Sequence, residues 1–513
     1  MNDLQAGDGA PARAPGIAWA LALGVGLILL RLIYSGFADL FPEEAYYWNY
    51  AKHLDIGYLD HPPMVAWLIH LGTRIFGETE FGVRICTLPC SLVASFFVYR
   101  STLLFYGRRE AVFAALLAQV LPFFFMIGFM ITPDAPLTAC WAGALYFLAR
   151  VFFGSSARAW LGVGICLGLG MLSKYTIALV GVSALVFMVL DAPSRFWFLR
   201  LAPYGAVALS MLIFSPVIFW NAAHHWISFA FQSKDRVAEA RRFSTHELLG
   251  AMLALLTPVG FVTAASDLLR SESTDPAGAR RRLFARVFTL VPLTIFLFFS
   301  FTHRVKLNWT GPLWLALLPV IAATLASNWQ GRRFLRMGWA VTLVVFPLIY
   351  VVQLQYLAKG LPGLGYSANL ELLPVGWSEM GHQIEAAKKA ARLQIAAGER
   401  LLVVGLDRNF IASEAAFYSS DRNVSVAETT GAHLFGGRSL MYELWFPEKA
   451  QYGANLLLVS FNKSDLEGGR IRKRCGKMGD VEEHWLIRDG KKIRPYYTRL
   501  VFAYQSSAAA VRK

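Results

Sequence analysis

Long apolar runs recur along the first 356 residues, and short polar stretches separate them. A helix needs roughly 20 apolar residues to cross the hydrocarbon core of a bilayer, and the first run, 16–34, has that length. Further runs lie at about 82–105, 110–130, 135–153, 158–173, 174–190, 201–220, 247–269, 287–302, 310–327 and 334–356. The pattern predicts a polytopic α-helical membrane protein with about eleven spanning helices.

The pattern changes after residue 357. Apolar residues at helical spacing over 376–399 predict an amphipathic helix, and a second helical pattern surrounds Ser413 to Tyr418. LLVVG at 401–405 and NLLLVS at 455–460 are typical of buried strands, and TRLVFAY near the end is strand-like. We therefore predict a compact α/β domain outside the membrane.

The predicted organisation has three parts. Residues 1–15 are expected to form a disordered cytoplasmic N-terminus, residues 16–356 a transmembrane catalytic domain with an outer loop at 35–81, and residues 357–513 a periplasmic α/β domain. Short cytoplasmic loops accumulate Lys and Arg, and a cytoplasmic N-terminus puts five consecutive basic loops on that side. Their basic residues are Arg108 and Arg109; Arg158; Arg195 and Arg200; Arg280, Arg281, Arg282 and Arg286; and Arg332, Arg333 and Arg336.

The chain is 56% hydrophobic and 16% charged, with a formal net charge of +15. Such a charge occurs in proteins that bind nucleic acid, but here the basic residues recur between apolar runs rather than forming one patch. We therefore expect a lipid bilayer as the partner and no nucleic acid. The five cysteines show neither a disulfide framework nor a zinc spacing.

The stretch 41–67 is acidic and aromatic, unlike an ordinary connector between membrane helices. Its ionisable residues include Glu43, Glu44, Asp60 and His61. A carboxylate at the centre of a membrane helix costs roughly 3 kcal/mol, so these groups are expected at the interface or in a wet cavity. The stretch indicates a reactive loop, and the alternative is an interfacial aromatic belt with acids that face water.

Other polar residues fall in turns predicted on the same side of the membrane. Asp134 lies between Pro133 and Pro136, where it can act chemically or cap the following helix. Lys174 stands between two short apolar runs, either as a phosphate partner or with its ammonium group reaching the headgroups. Asp60 and His225 offer oxygen and imidazole ligands for a divalent Zn, Mg or Mn ion, although His225 also suits a plain interfacial role.

Five short motifs carry a resemblance to a known family: EEAYYW, LDHPPMVAW, TPDAPL, LSKY and KLNW. The chain resembles the GT-C class of membrane glycosyltransferases, in particular the protein O-mannosyltransferase superfamily and the bacterial lipid A aminoarabinose transferases. The resemblance covers most of residues 16–320. It implies a GT-C-like transmembrane domain in the bacterial inner membrane.

The resemblance also implies roles for single residues. The family's catalytic Asp-Glu pair corresponds here to Glu43 and Glu44, and Asp134 corresponds to a further catalytic carboxylate. In the lipid A relative Glu-Lys-Pro-Pro stands where this chain has Asp60-His61-Pro62-Pro63. The residues expected to bind the donor phosphate are His61, Lys174, Arg236 and Lys306.

The implied reaction moves a sugar from a polyprenyl-phosphate-linked donor to a glycolipid, such as lipid A, or to a protein acceptor at the outer face. A transporter or flippase of polyprenyl-linked sugar is the main alternative, and a non-catalytic assembly or sensor protein is another. Transporters place ionisable groups near the membrane midplane, often in repeated halves. Here the acids lie in loops and no internal repeat is found, so the pattern favours the transferase.

Overall fold

The computed structural model describes residues 15–235, 241–270, 275–326, 333–366, 375–488 and 490–506. Helices dominate the first part of the chain. They are α1 Pro15–Tyr34, α2 Pro42–Lys52, α3 Met64–Phe76, α4 Glu80–Arg84, α5 Thr87–Phe105, α6 Arg108–Val120, α7 Pro122–Ile127, α8 Asp134–Gly154, α9 Ala159–Met171, α10 Ala178–Leu190, α11 Leu201–Ala223, α12 Ile227–Ala230, α13 Thr245–Leu256, α14 Pro258–Leu269, α15 Pro276–Ser300, α16 Leu318–Ala326 and α17 Arg333–Lys359.

Among the described residues, six helices are long and apolar enough to cross a membrane on their own, and up to nine spans result if each sharply bent helix pair counts as one. One such pair, α13 and α14, bends by 104°. The polytopic helical fold predicted from the apolar runs is confirmed. The number of eleven spans stays a prediction.

Loops of the bundle gather at two opposite ends. At one end the carboxylate of Asp134 accepts a hydrogen bond from Asn308. At the other end Arg280 donates to Asp191 and to the carbonyl of Phe152, which joins three loops predicted to be cytoplasmic. The three loops around Arg280, Asp191 and Phe152 therefore lie together at one end of the bundle, while the assignment of each end to a compartment stays a prediction.

The outer segment 35–81 folds into helices that pack beneath the C-terminal part of the chain. Helix α2 begins at Pro42, which suits the first helical position, and Glu44 accepts a hydrogen bond from the Phe41 amide. Its aromatic residues Tyr46, Trp48 and Tyr50 are at most 2% exposed. The aromatic run is thus a buried core of this segment and does not form an exposed belt.

The C-terminal domain comprises the described residues from 375 onward. Its helices are α18 Trp377–Arg392, α19 Phe410–Phe417, α20 Arg422–Glu428, α21 Tyr442–Trp445, α22 Lys463–Glu467 and α23 Gly469–Arg472, and its strands are β1 Leu401–Gly405, β2 Thr429–Gly431, β3 Asn455–Ser460, β4 Cys475–Arg488 and β5 Lys491–Tyr504. The sheet has the order β2-β1-β3-β5-β4, with β1 parallel to both β2 and β3, and β5 antiparallel to both β3 and β4. The predicted α/β domain is confirmed, and β1 and β3 occupy the predicted residues.

A buried carboxylate joins the C-terminal domain to the outer segment. Asp39 accepts hydrogen bonds from the amides of Gly376 and Trp377 at the start of α18 and from the hydroxyl of Ser378. Arg488 at the end of β4 forms an ion pair with the same carboxylate at 2.8 Å. Because the negative charge satisfies amides at a helix N-terminus, this contact fixes the domain on the bundle.

Helix α19 packs against α2 and buries a carboxyl group there. Glu414 is 1% exposed, and within the described residues neither of its oxygens has a hydrogen-bond partner. Burial raises the pKa of Glu414 well above its usual value, and the neighbouring charges of Asp39 and Glu44 raise this pKa further. The folded protein therefore holds Glu414 in its neutral form across a pH range in which an unfolded chain ionises it.

Replacing Glu414 tests this protonation. Above its ordinary pKa of 4.5, the unfolded state loses a proton that the folded state keeps, so stability falls by about 1.4 kcal/mol per pH unit until the folded pKa is reached. We expect Glu414→Gln to remove this slope, as measured by the melting temperature of the detergent-solubilised protein from about pH 5 to about pH 7.5. Glu467→Gln, on the exposed α22, is the control and keeps the slope. An unchanged slope in Glu414→Gln would contradict the assignment.

Candidate active site

Two adjoining cavities lie where the outer segment, the bundle loops and the C-terminal domain meet. The first is polar and has a volume of about 570 Å³; its lining includes Glu43, Asp60, His61, Glu247, Arg304, Lys306, Trp309, Arg408 and Leu440. The second is apolar, with a volume of about 320 Å³ and a lining that includes His61, Lys174, Tyr175, Leu179, Ile295, Phe296, Phe299 and Trp309. The two share His61 and Trp309, so they adjoin at these side chains and give the site a polar and an apolar half.

Glu43 and Glu44 separate onto different sides of α2, because successive helical residues point about 100° apart. Glu43 is exposed and lines the polar cavity. Within the described residues its carboxylate makes no hydrogen bond and no ion pair. A carboxylate with no structural contact in the wall of a polar cavity is available for chemistry.

Glu44 lies in the core. Its oxygens accept hydrogen bonds from Arg84 Nε at 3.0 Å and from Arg84 Nη2 at 2.5 Å, and both side chains are fully buried. It also accepts hydrogen bonds from the amides of Phe41 and Ile131. These contacts occupy the Glu44 carboxylate and connect α2 to the turn before α8. Glu44 therefore holds α2 in position. Its predicted catalytic role stays a prediction.

The guanidinium of Arg84 makes further contacts. It donates to the carbonyl oxygens of Ser35, Ala38 and Asp39, at 3.1, 2.8 and 2.7 Å. One buried arginine thereby binds three carbonyl oxygens of the segment that leads into α2. A buried charge of this kind is tolerated because each of its donors has a partner.

Asp134 is the first residue of α8, and its side chain is 4% exposed. Lys174 Nζ lies 2.9 Å from Asp134 Oδ1, and Asn308 donates to Oδ2 at 2.5 Å. Lys174 in turn lines the apolar cavity. Three turns that are far apart in sequence therefore meet at this carboxylate, which orients the ammonium group.

Lys306 precedes a short 3-10 helix, Leu307–Thr310, and its exposed side chain lines the polar cavity together with Glu43. Arg304 lines the same wall and forms an ion pair with Glu247 at 3.4 Å. His61 packs its ring edge against Tyr47, with ring centroids 5.7 Å apart. The predicted residues Glu43, Asp60, His61 and Lys306 thus share one cavity, whereas Lys174 lines the adjoining apolar cavity and Asp134 pairs with Lys174.

Asp60 is 7% exposed and has its own hydrogen-bond partners. Its Oδ1 accepts from the hydroxyls of Tyr46, at 3.0 Å, and Tyr50. Burial raises the pKa of Asp60, and the two hydroxyl donors oppose that rise. Both tyrosines come from α2, so this contact fixes the turn before α3 on the outer segment.

The predicted metal site finds little support in this geometry. In the described part of the chain no three His, Cys, Asp or Glu side chains come together as a ligand cluster, and Asp60 Oδ1 is already engaged. His225 is exposed, in a left-handed conformation with φ of 53°. Asp60 and His225 therefore do not fit a divalent ion well. Arg236, predicted to bind phosphate, lies outside the described residues.

Sequence reasoning missed three residues at this site: Asn308, Arg304 and Arg408. Asn308 and Arg304 flank the Lys-Leu pair of the KLNW turn, so their position beside Lys306 was a usable signal. Arg408 belongs to the C-terminal domain and follows β1. No local pattern indicates that this domain contributes to the wall of the polar cavity, because the contact depends on tertiary packing.

Comparisons with known proteins agree with the resemblance. Residues 60–220 match the family model described as dolichyl-phosphate-mannose-protein mannosyltransferase. The lipid A galacturonosyltransferase RgtD of Rhizobium johnstonii is 23% identical over 413 residues, which cover 75% of this chain and 79% of that protein. An undecaprenyl phosphate-alpha-4-amino-4-deoxy-L-arabinose arabinosyl transferase of Proteus mirabilis is 29% identical over 170 residues, spanning 32% of this chain and 31% of that protein.

The structure is also similar to crystal structures of ArnT from Cupriavidus metallidurans. Both the apo form and the form bound to undecaprenyl phosphate give a TM-score of 0.62, with sequence identities of 15% and 16%. The matches cover 95% and 94% of this chain and 98% of each ArnT chain. The fold is therefore that of the GT-C class over nearly the whole chain, as the resemblance predicted, and the transporter alternative gains no support.

The buried pair of Arg84 and Glu44 is open to a stability test. Arg84→Ala leaves the Glu44 carboxylate buried without its counter-charge, which typically costs about 3–5 kcal/mol. We expect a large drop in the melting temperature of the solubilised protein, whereas Arg74→Ala, at an exposed position on α3, changes it little. A melting temperature for Arg84→Ala equal to that of Arg74→Ala would show that the pair does not hold the outer segment.

Proposed function

We propose that this chain, a membrane glycosyltransferase of the GT-C class similar to the aminoarabinose transferases, transfers a sugar from a polyprenyl-phosphate donor to an envelope acceptor. The acceptor is lipid A, another glycolipid or a protein. The reaction takes place at the periplasmic face of the bacterial inner membrane, where the C-terminal domain lies. Similarity to proteins named for undecaprenyl-phosphate-linked sugar and for lipid A supports this proposal.

One observation carries the proposal: a polar cavity lined by a lysine and by a carboxylate without a hydrogen bond or ion pair adjoins an apolar groove. Lys306 and Glu43 line the polar half. Leu179 of α10 and Ile295 of α15 line the apolar half. A donor with an anionic headgroup and a long apolar tail matches this division, whereas a water-soluble nucleotide sugar needs no apolar groove beside the bilayer.

The donor phosphate is assigned to the boundary between the two halves. Lys306 stands in the polar half, and Lys174 lines the apolar half. Ammonium groups stabilise a phosphate as it departs with the negative charge of the broken bond. Asp134 binds Lys174 at 2.9 Å and orients it, so Asp134 acts through the lysine as a positioning residue. His61 lies between the two halves and completes the phosphate site.

Glu43 is assigned as the general base. The acceptor hydroxyl attacks the anomeric carbon, the bond from that carbon to the phosphate oxygen breaks, and the polyprenyl phosphate leaves with the electron pair. Glu43 takes the proton that the attacking hydroxyl releases. Its exposed carboxylate makes no hydrogen bond and no ion pair in the described structure, so no such bond has to be broken before it acts.

The transferred group is a hexose or pentose derivative in this proposal, in line with the galacturonosyl and aminoarabinosyl relatives. Glu44 keeps a supporting role, because its contacts with Arg84 and two amides hold α2 and therefore Glu43 in place.

Removing the base tests the catalytic assignment. Glu43→Gln keeps the side-chain size but cannot accept a proton, so we expect sugar transfer to fall about 100-fold or more while donor binding persists. Transfer is measured with purified protein, a radiolabelled polyprenyl-phosphate sugar and an envelope glycolipid extract. Glu80→Gln, which lies on the same outer segment but lines neither cavity, is the matched control. Near-normal transfer by Glu43→Gln would remove Glu43 from the mechanism.

The proposed contact between Lys306 and the donor phosphate is tested by measuring donor affinity. Lys306→Ala removes a cation from the phosphate site, and we expect the KM for the donor to rise about 10-fold to 100-fold, because a charge-assisted contact contributes roughly 1.5–3 kcal/mol. Lys306→Arg keeps the charge and should recover part of that loss. If both variants show the donor KM of the unmodified protein, Lys306 does not contact the phosphate.

A further inference from the structure

A third cavity lies on the C-terminal domain beside the polar one. It has a volume of about 420 Å³ and is lined by Leu406, Asp407, Arg408, Ala432, Gly437 and Arg438. It opens at the carboxyl ends of β1 and β2, two adjacent parallel strands. In open α/β sheets this edge is the usual place for ligands.

Two arginines dominate this cavity. Arg408 and Arg438 are both exposed, and neither makes an ion pair or a hydrogen bond within the part of the chain that the structure describes. Asp407, the acidic residue of the lining, is committed elsewhere: its oxygens accept from the amides of Phe410 and Ile411 at 2.7 and 3.2 Å and cap α19. Asp407 is therefore occupied by backbone amides, and the positive charge of this cavity comes from the two guanidinium groups. The charge of Arg408 also acts on Asp60 in the polar cavity.

The backbone around Arg438 is held in place. Gly436 has φ of 81°, which lets the chain reverse after β2. Ser439 accepts a hydrogen bond from the His433 amide and donates its own amide to Glu443. The amide of Gly437, on the other side of Arg438, donates to the carbonyl of Ala432 at 3.0 Å, so the backbone that carries Arg438 is held on both sides.

The third cavity connects to the active site. Arg408 lines both the third cavity and the polar cavity that contains Glu43. Leu440, two residues after Arg438, also lines the polar cavity and adopts a positive φ of 51°. The segments 406–408 and 437–440 therefore form a common wall between the two cavities.

We infer that Arg408 and Arg438 bind a phosphomonoester of the acceptor and so place a neighbouring acceptor hydroxyl beside Glu43. This inference rests on the proposed glycosyl transfer. Two guanidinium groups match the charge of about −2 on a phosphomonoester near neutral pH, and arginine binds phosphate through paired hydrogen bonds. The proposed mechanism assigns the donor phosphate to Lys306 and Lys174, so the two arginines are left to bind the other substrate.

The test compares binding of the two substrates by the full-length chain in lipid nanodiscs. The variants are Arg408→Gln, Arg438→Gln and the double variant, with Arg470→Gln as a matched control, because Arg470 is exposed on the same domain and lines none of these cavities. The probes are bis-phosphorylated lipid A, its dephosphorylated form and undecaprenyl phosphate. Melting temperatures establish that each variant is folded, and Arg408→Ala or Arg438→Ala replaces a glutamine variant that is not.

We expect each single glutamine variant to weaken binding of phosphorylated lipid A about tenfold and the double variant to weaken it more. Binding of undecaprenyl phosphate and of dephosphorylated lipid A should match that of Arg470→Gln. Equal binding of phosphorylated lipid A by the double variant and by Arg470→Gln would overturn the inference. A loss of undecaprenyl phosphate binding instead would assign the arginines to the donor and overturn it as well.

Binding and transfer separate the two proposals. If the binding pattern holds but no variant, nor the unmodified chain, transfers sugar to any acceptor, the phosphate site stands and the glycosyl-transfer proposal fails. If transfer to phosphorylated lipid A proceeds with an unchanged acceptor KM in the double variant, the proposed reaction stands and the phosphate site is wrong.

Discussion

A buried ion pair between Glu44 and Arg84 holds the region in which the proposed chemistry takes place. Arg84 binds the Glu44 carboxylate and three backbone carbonyls at the entry to α2, and Glu44 also binds the Ile131 amide before α8. Two charges buried this deeply are stable only while both are present. The pair therefore makes the position of α2 depend on the membrane bundle, and the position of Glu43 follows from that of α2.

The same outer segment also binds the C-terminal domain. Asp39, whose carbonyl Arg84 binds, uses its carboxylate to cap α18 and to pair with Arg488. The domain is thereby held over the polar cavity, and Arg408 reaches its wall. A donor that arrives from the bilayer and an acceptor held by the domain would thus meet at one carboxylate. In the proposed mechanism the C-terminal domain therefore contributes to acceptor binding.

Periodicity and residue type were sufficient to predict the helical membrane fold and the α/β domain, because apolar run length and strand patterns are local properties of the chain. β2 was missed because it has only three residues, and β4 because polar residues occupy much of its length. The different environments of Glu43 and Glu44 could not be predicted from the sequence either. They depend on which side of α2 faces Arg84, and a tertiary contact 40 residues away decides this.

The most direct test of the account is a cryo-electron microscopy structure of the chain with undecaprenyl phosphate in a nanodisc. The account predicts phosphate density in contact with Lys306 at the boundary of the two cavities, with the tail along Ile295 and Phe299 and the Glu43 carboxylate facing the phosphate across the polar cavity. Phosphate density on another face of the bundle, or a tail that avoids this groove, would contradict it.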